Sequence, residues 1–82
     1  MPTLKTFSLY GTTACHLCEL AEQMIQQQLD AGCLCRVECV DIAESDALFQ
    51  RYGTNIPVLR HPDGREINWP FDALELENFL RS

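Results

Sequence analysis

Apolar positions change their spacing several times along the chain, and each change predicts a different element of secondary structure. The segment Leu4–Tyr10 mixes β-branched and aromatic residues and is followed by Gly11, which is typical of a strand. The next segment, Leu17–Leu29, has apolar residues at helical spacing with glutamates and glutamines between them. This pattern predicts a strand followed by an amphipathic helix that starts near Cys15.

The ends of this helix carry residues that commonly cap helices. Thr12 and Thr13 precede it as the expected N-cap residues, and Gly32 follows it as the expected C-cap. From Cys33 to Ile42 the spacing becomes alternating, which predicts a second strand. One face of this strand holds Cys35, Val37 and Cys39, and the other holds Arg36 and Glu38. A strand with one polar face is expected at a sheet edge, and strand, helix, strand predicts a parallel βαβ unit.

The next part of the chain predicts a short helix and a hairpin. The helix, Ala47–Tyr52, follows the capping residues Ser45–Asp46. Two strand-like segments, Ile56–Arg60 and Arg65–Trp69, then flank Pro62–Gly64. Asp-Gly between two such segments is a hairpin signal, so we expect these strands to pair as antiparallel neighbours.

A last helix completes the predicted order. Asp72 and Glu75 resemble a capping box at its start. Its apolar residues are Leu74, Leu76, Phe79 and Leu80. The resulting order is βαβαββα, which predicts an α/β fold. Because the chain has 82 residues and no linker or repeat, we expect a single domain spanning residues 1–82.

Composition and charge exclude several classes of function. Hydrophobic residues make up 46% of the chain, which is too many for a disordered tail. The formal net charge is −6, from 12 acidic and 6 basic residues, with no cluster of bases to bind nucleic acid. No apolar run approaches the ~20 residues of a membrane-spanning helix, and the first residues lack the features of a signal peptide. We therefore expect a cytoplasmic protein that binds neither nucleic acid nor a membrane.

Five cysteines are many for so short a chain, and in a cytoplasmic protein they indicate catalytic or metal-binding thiols. Cys15 and Cys18 are separated by two residues at the predicted turn from strand to helix. There the first thiol meets unpaired backbone N–H groups and the positive end of the helix dipole, which favour the nucleophilic thiolate. The spacing lets the second thiol resolve a mixed disulfide formed by the first. The alternative is a pair of buried structural cysteines on the first turn of a helix.

Two motifs in this order of elements resemble the glutaredoxin-like branch of the thioredoxin superfamily. They are Cys15-His16-Leu17-Cys18, similar to the motif of small bacterial members, and Asn55-Ile56-Pro57 at the start of the hairpin. The resemblance covers residues 4–80 and implies a thioredoxin-like, four-stranded mixed sheet flanked by helices. It also implies that Cys15 and Cys18 catalyse thiol–disulfide exchange.

The resemblance implies a substrate-binding surface as well. It implies a cis peptide bond before Pro57, which faces the thiols, and a backbone edge at Ile56 that pairs with the substrate chain. His16 and Leu17, between the thiols, are assigned to the same surface. A protonated His16 would also favour the thiolate; the alternative is an exposed polar residue on a turn.

Several residues depart from the pattern of glutathione-dependent members. His16-Leu17 replaces the usual Pro-Tyr, and Asn68–Asp72 lacks the Gly-Gly pair at which the glutathione backbone docks. Bases that could hold glutathione carboxylates are scarce, with Lys5 and Arg51 as distant candidates. We therefore expect no cofactor, and glutathione becomes a doubtful electron donor. The expected partners are a disulfide substrate, either a protein or a small molecule, and a reducing system, either thioredoxin reductase or glutathione. We expect the protein to be a monomer.

Two other classes of function remain open at this point. One is a thioredoxin-fold module that binds a peptide or partner without turnover, and the other is metal or iron–sulfur binding through the cysteines. Cys33 and Cys35 lie beyond a helix predicted to be roughly 25 Å long, so they cannot share one ion with the first pair. Packing beneath the helix is the preferred interpretation of Cys35 and Cys39. We expect the aromatic residues Tyr10, Trp69 and Phe71 in the core or in the wall of the cleft.

Overall fold

The elements of the chain follow the predicted order. The structure, a computed structural model, describes residues 4–82, so residues 1–3 of the predicted domain lie outside the described residues. The elements are β1 Lys5–Gly11, α1 His16–Asp30, β2 Cys35–Asp41, a 3₁₀ turn Ile42–Glu44, α2 Asp46–Tyr52, β3 Val58–Arg60, β4 Glu66–Asn68 and α3 Ala73–Arg81. The 3₁₀ turn is an element that the alternating pattern did not predict.

The strands form one mixed four-stranded sheet in the order β2-β1-β3-β4. β1 pairs with β2 in parallel and with β3 antiparallel, and β3 pairs antiparallel with β4. This arrangement confirms the α/β class, the parallel βαβ unit and the hairpin. It also confirms that β2 is an edge strand.

Side chains of the central strand alternate between two hydrophobic clusters on opposite faces of the sheet. Phe7 and Leu9 point into the larger cluster, which contains residues of α1 and α3 such as Ile25 and Leu76. Tyr10 points into the smaller cluster, where its ring stacks on that of Tyr52 in α2. The sheet therefore lies between α1 and α3 on one face and α2 on the other. None of the helices within residues 4–82 has the length and apolarity needed to cross a bilayer.

The ends of α1 differ from those predicted. The N-cap is Cys15, whose sulfur accepts a hydrogen bond from the N–H of Cys18 at 3.1 Å, so the prediction of Thr12 or Thr13 was wrong. The helix begins only at His16, so the residue directly before it is Cys15 and not a threonine. The C-cap is Ala31, and Gly32 is the following residue with φ +102°, a left-handed conformation that suits glycine.

The prediction that Cys39 packs beneath α1 was wrong. Cys35 is buried in the larger cluster, but Cys39 is exposed. Both lie on the face of β2 that carries Val37, but Cys39 lies further along this edge strand, beside the exposed side of α1. A period-two pattern assigns a residue to a face and does not show where the covering helix stops.

The second half of the chain has shorter strands than predicted, and its helices are capped largely as expected. Ser45 caps α2 and Asp72 caps α3, since their side-chain oxygens accept the N–H groups of Leu48 and Glu75. Gly64 has φ +100°, consistent with the Asp-Gly turn signal. Leu74, expected on the apolar face of α3, is exposed, because that face is formed by residues 76, 79 and 80.

Candidate active site

Cys15 and Cys18 lie where β1 leads into α1. β1 ends at Gly11, a short turn follows, and α1 begins at His16. A disulfide joins the two cysteines, with their Cα atoms 5.2 Å apart, within the range usual for disulfides. The hydrogen bond from the Cys18 N–H ends on the Cys15 sulfur, which therefore occupies the position in which a helix N-terminus stabilises negative charge.

The two sulfurs differ in accessibility. Cys18 is only 4% exposed and packs against Gly11, where an added Cβ would lie 2.8 Å from the Cys18 sulfur. Cys15 is half-buried. An incoming thiol or disulfide can thus reach Cys15 more readily than Cys18. The glycine at position 11 gives Cys18 the space to turn its sulfur beneath the start of the helix.

His16 and Leu17 are both accessible from solvent. The His16 side chain is 80% exposed, and its Nδ1 lies 3.8 Å from the carboxylate of Glu19 one turn later. Leu17 is 44% exposed and lies between the two cysteines. The two side chains therefore point away from the core on the surface that a partner of Cys15 would meet.

Ile56 and Pro57 lie at the same end of the sheet as the disulfide. Their peptide bond is cis, as the resemblance implied. Val58 pairs with Tyr10, which places Pro57 at the start of β3 beside the carboxyl end of β1. Pro57 is buried, and its carbonyl accepts the N–H of Trp69 at 3.2 Å. A second cis bond, Trp69–Pro70, was not predicted from the sequence.

A cavity of about 250 Å³ reaches Cys18 from the side of β2. Its polar lining includes Thr12, Thr13, Glu22, Cys39 and Asp41. The Cys39 thiol donates to the Glu22 carboxylate, with sulfur and oxygen 3.4 Å apart. Although Cys39 is largely exposed, partial desolvation of its sulfur raises its pKa, and the hydrogen bond and charge of Glu22 raise it further. Cys39 is thus a third thiol near the pair, although its place in the sequence predicted only a packing role.

Cys33 and Cys35 lie at the opposite end of α1 from the disulfide. Cys33 follows the helix C-terminus, where its N–H donates to the carbonyl of Gln28, and Cys35 begins β2. Their sulfurs are 3.9 Å apart and buried. Burial, with the neighbouring Cys33, raises the pKa of Cys35 to about 11. Within residues 4–82, no cluster of three or more His, Cys, Asp or Glu side chains is arranged to hold a metal ion.

The sequence and fold identify the family. The family model described as "Glutaredoxin-like domain (DUF836)" matches residues 6–81. The chain belongs to this family. No curated protein matches the chain. The glutaredoxin-like assignment confirms the resemblance carried by the two motifs, and it supports a redox-related role of the thioredoxin type.

Solved structures agree with this assignment. The chain is 41% identical to target protein XcR50 from X. campestris, whose X-ray structure superposes with a TM-score of 0.78 over 92% of this chain and 95% of that one. The solution structure of XcR50 gives a TM-score of 0.75, covering 92% and 91% of the two chains. Protein Ne2328 from Nitrosomonas europaea is 20% identical, with a TM-score of 0.77 over 96% and 94% of the chains, and shows the shared fold alone.

Proposed function

We propose that this glutaredoxin-like protein is a thiol–disulfide oxidoreductase that uses Cys15 and Cys18. The observation that carries the proposal is the placement of the Cys15–Cys18 disulfide at the N-terminus of α1, with Cys15 as the cap. Two structural cysteines would need neither an accessible first sulfur nor a helix N-terminus behind it. A redox pair needs both, because the thiolate is the attacking species.

The proposed reaction has two exchange steps. The Cys15 thiolate attacks one sulfur of the substrate disulfide, forming a mixed disulfide and releasing the other substrate sulfur as a thiolate. The Cys18 thiolate then attacks the Cys15 sulfur and releases the second substrate thiol. Two electrons have passed to the substrate, and the Cys15–Cys18 disulfide has formed. A reducing system outside this chain returns the pair to thiols.

The surface around Cys15 supplies the proposed substrate contacts. Leu17 offers exposed apolar area, and His16 offers a polar side chain beside it. Ile56, before the start of β3, would present backbone N–H and C=O groups to an extended substrate segment, as strand-adding peptides use them. Pro57 would form the wall of the cleft between that segment and the thiols.

The charges near the pair bear on the choice of electron donor. Glu19 and Glu22 lie on the first turns of α1, and Asp41 lines the cavity that reaches Cys18. Glutathione carries a net negative charge, so this surface repels it. We therefore favour a protein reductant of the thioredoxin reductase class over glutathione. We further propose, from the sequence alone, that the protein is a cytoplasmic monomer and acts without a bound cofactor.

Trapping of a mixed disulfide tests the proposal. Cys18→Ser should accumulate a covalent adduct at Cys15 when it meets a substrate disulfide, because the resolving thiol is gone. Cys15→Ser should trap no adduct at that end of the molecule and should lose turnover. Cys39→Ser is the matched control and should turn over hydroxyethyl disulfide as the unmodified protein does, with dithiothreitol as reductant.

Peptide mass mapping of the adduct decides the outcome. Two results together support the proposal: an adduct at Cys15 in Cys18→Ser, and turnover only in proteins that have both thiols. Adducts at Cys33 or Cys39 instead would show that another thiol is the nucleophile. Binding of a disulfide-containing peptide without any reduction would favour the module that binds a partner without turnover.

A further inference from the structure

We propose that the stacked rings of Tyr10 and Tyr52 position Ile56 for an extended polypeptide substrate, which makes Tyr52 a positioning residue for peptide disulfides and not for small ones. This inference rests on the proposed function, in which the substrate backbone lies against Ile56. It adds the support behind that residue and the class of substrate that needs the support. The two exchange steps themselves make no use of either tyrosine.

Ile56 has backbone groups that are free to pair with a substrate. Among residues 4–82, no backbone hydrogen bond of a turn or loop uses its N–H or C=O, and β3 begins only at Val58. The residue is half-buried, and unpaired backbone groups favour any partner that offers complementary ones. An extended polypeptide offers peptide N–H and C=O groups, whereas hydroxyethyl disulfide has none. Only the polypeptide therefore depends on where the backbone of Ile56 lies.

The segment that carries Ile56 has few backbone hydrogen bonds to hold it. After α2, the N–H of Asn55 donates to the C=O of Tyr52 at 2.8 Å, and the C=O of Pro57 accepts from the residue after β4 at 3.2 Å. The Ile56 side chain packs against the smaller hydrophobic cluster, which contains both Tyr10 and Tyr52. We therefore infer that this packing fixes the position of the segment.

The two tyrosines connect this packing to the strand that leads to the thiols. Their ring centres are 4.4 Å apart with an angle of 14° between the planes, and the residues are 9% and 3% exposed. Tyr10 precedes Gly11, against which the sulfur of Cys18 packs, and Tyr52 ends α2. Because aromatic pairs prefer defined geometries, the stack sets the distance between the substrate segment and the redox pair.

Polar contacts hold the ring of Tyr52 in the stack. Its hydroxyl donates a hydrogen bond to the carboxylate of Glu66 in β4. Burial and this hydrogen bond raise the pKa of Tyr52, so the hydroxyl keeps its proton at neutral pH. The guanidinium of Arg51 lies 5.2 Å from the ring centre and 4.0 Å from the Glu66 carboxylate. Core packing alone would bury the ring, but it would not require a hydroxyl tied to the strand beside β3.

Two substrates with the same leaving group separate positioning from chemistry. One is hydroxyethyl disulfide, and the other is a blocked, uncharged heptapeptide whose central cysteine is disulfide-bonded to 2-mercaptoethanol. Tyr52→Leu should raise the KM for the peptide about tenfold, because backbone hydrogen bonds to Ile56 contribute on that order. The kcat for the peptide and the kinetics with hydroxyethyl disulfide should stay nearly unchanged, as expected when uniform binding is lost.

Further variants separate the ring from the hydroxyl and from general destabilisation. Tyr52→Phe keeps the ring and should retain most of the affinity for the peptide. Tyr10→Leu removes the other ring and should act as Tyr52→Leu does, which provides a second test if one variant does not fold. Phe79→Leu is the matched control, because it removes a buried ring from the larger cluster. It should lower the Tm and leave both KM values unchanged.

A modified peptide tests the same contact from the side of the substrate. Methylation of the peptide amides that flank its cysteine removes their N–H groups. With the unmodified protein, this change should raise the KM about as much as Tyr52→Leu does. In Tyr52→Leu, it should have little further effect, because the contact is already lost.

Three outcomes would contradict the inference. An unchanged KM for the peptide in both leucine variants would remove the positioning role alone, and the oxidoreductase would stand. An equal loss with both disulfides would show general damage to the site and not positioning. If the unmodified protein reduces neither disulfide, the proposed function fails and this inference fails with it. Turnover of hydroxyethyl disulfide therefore distinguishes the two failures.

Discussion

The Cys39 thiol donates a hydrogen bond to a carboxylate, whereas the Cys15 sulfur accepts one from a backbone N–H. The first arrangement favours the neutral thiol and the second favours the thiolate. The two cysteines therefore prefer opposite protonation states, although solvent reaches both. Reactivity toward an alkylating reagent reports this difference, because only the thiolate reacts.

We expect Cys15 to be alkylated faster than Cys39 in the fully reduced protein. At pH 7 the ratio of the rates should be at least about tenfold, because a helix N-terminus stabilises the Cys15 thiolate. Iodoacetamide labelling followed by peptide mass mapping measures both rates in one sample. Equal rates would remove the electrostatic reason for choosing Cys15 as the nucleophile.

Glu22→Gln should accelerate alkylation of Cys39. The pKa of Cys39 is raised by burial and by Glu22, so removing the carboxylate should lower it while the effect of burial remains. Below its pKa, the thiolate fraction of Cys39 rises about tenfold per pH unit, so the gain should be seen at pH 7–8 and vanish well above the pKa. The oxidised protein suits this measurement, because its disulfide protects Cys15 and Cys18. Glu19→Gln is the control and should leave the rate at Cys39 nearly unchanged.

At the scale of elements, the packing of β1 against α1 couples the stability of the fold to its redox state. Gly11→Ala would place a Cβ 2.8 Å from the Cys18 sulfur. In the oxidised protein that sulfur is bonded to Cys15 and cannot turn away, whereas in the reduced protein it can rotate. We expect the oxidised form to lose about 1–3 kcal/mol and the reduced form less.

This difference should make the Gly11→Ala disulfide more oxidising. A loss of 1–3 kcal/mol confined to the oxidised form corresponds to a shift of roughly 20–60 mV to more positive potential. Equilibration with dithiothreitol redox buffers measures the shift, and thermal melts of both forms measure the stabilities. Gly53→Ala is the matched control, because its Cβ would meet the carbonyl of Phe49 at 2.5 Å, away from the disulfide. It should destabilise both forms equally and leave the potential unchanged.

Sequence patterns were sufficient for the elements but not for their ends. Alternation identified β2 as an edge strand, and Asp-Gly at positions 63 and 64 identified the hairpin, because both signals depend on local geometry. The cap of α1 was missed because a cysteine sulfur, rather than a threonine hydroxyl, accepts the free N–H of Cys18. Leu74 and Cys39 were misplaced because their burial depends on where neighbouring elements stop, which the spacing of apolar residues does not encode.

The part of the candidate site that depends on local geometry could also be predicted from the sequence. Cys15 and Cys18 form a local motif at a recognisable turn, so their proximity follows from two residues of spacing. Cys39 comes beside Cys18 only through the parallel pairing of β1 with β2, a contact between distant parts of the chain. The approach of the Cys33 and Cys35 sulfurs depends on side-chain rotamers, which no spacing rule fixes.

Across the whole molecule, acidic residues outnumber basic ones by 12 to 6, and several of the acids lie around the thiol end of the sheet. The thiol end of the sheet and the segment that follows β2 carry Glu19, Glu22, Asp41, Glu44 and Asp46. Most of the bases lie toward the other end, where β1 begins and α3 finishes; they are Lys5, Arg36, Arg65 and Arg81. Because the net charge is −6 and these acids lie near the thiols, we expect a negative potential at the candidate site.

Charge at the thiol end should therefore select among substrates. We expect positively charged cystamine to be reduced faster than neutral hydroxyethyl disulfide, and negatively charged oxidised glutathione more slowly, with about a tenfold spread at low ionic strength. The spread should shrink as salt is raised, because exposed charges are screened beyond roughly 10 Å at 0.1 M. Glu19→Gln/Glu22→Gln should reduce the spread, whereas Asp30→Asn/Glu77→Gln, which removes the same charge elsewhere, should preserve it. Faster reduction of oxidised glutathione than of cystamine would contradict the electrostatic argument and would favour glutathione as the electron donor. The rate with hydroxyethyl disulfide would still report whether Cys15 and Cys18 catalyse exchange.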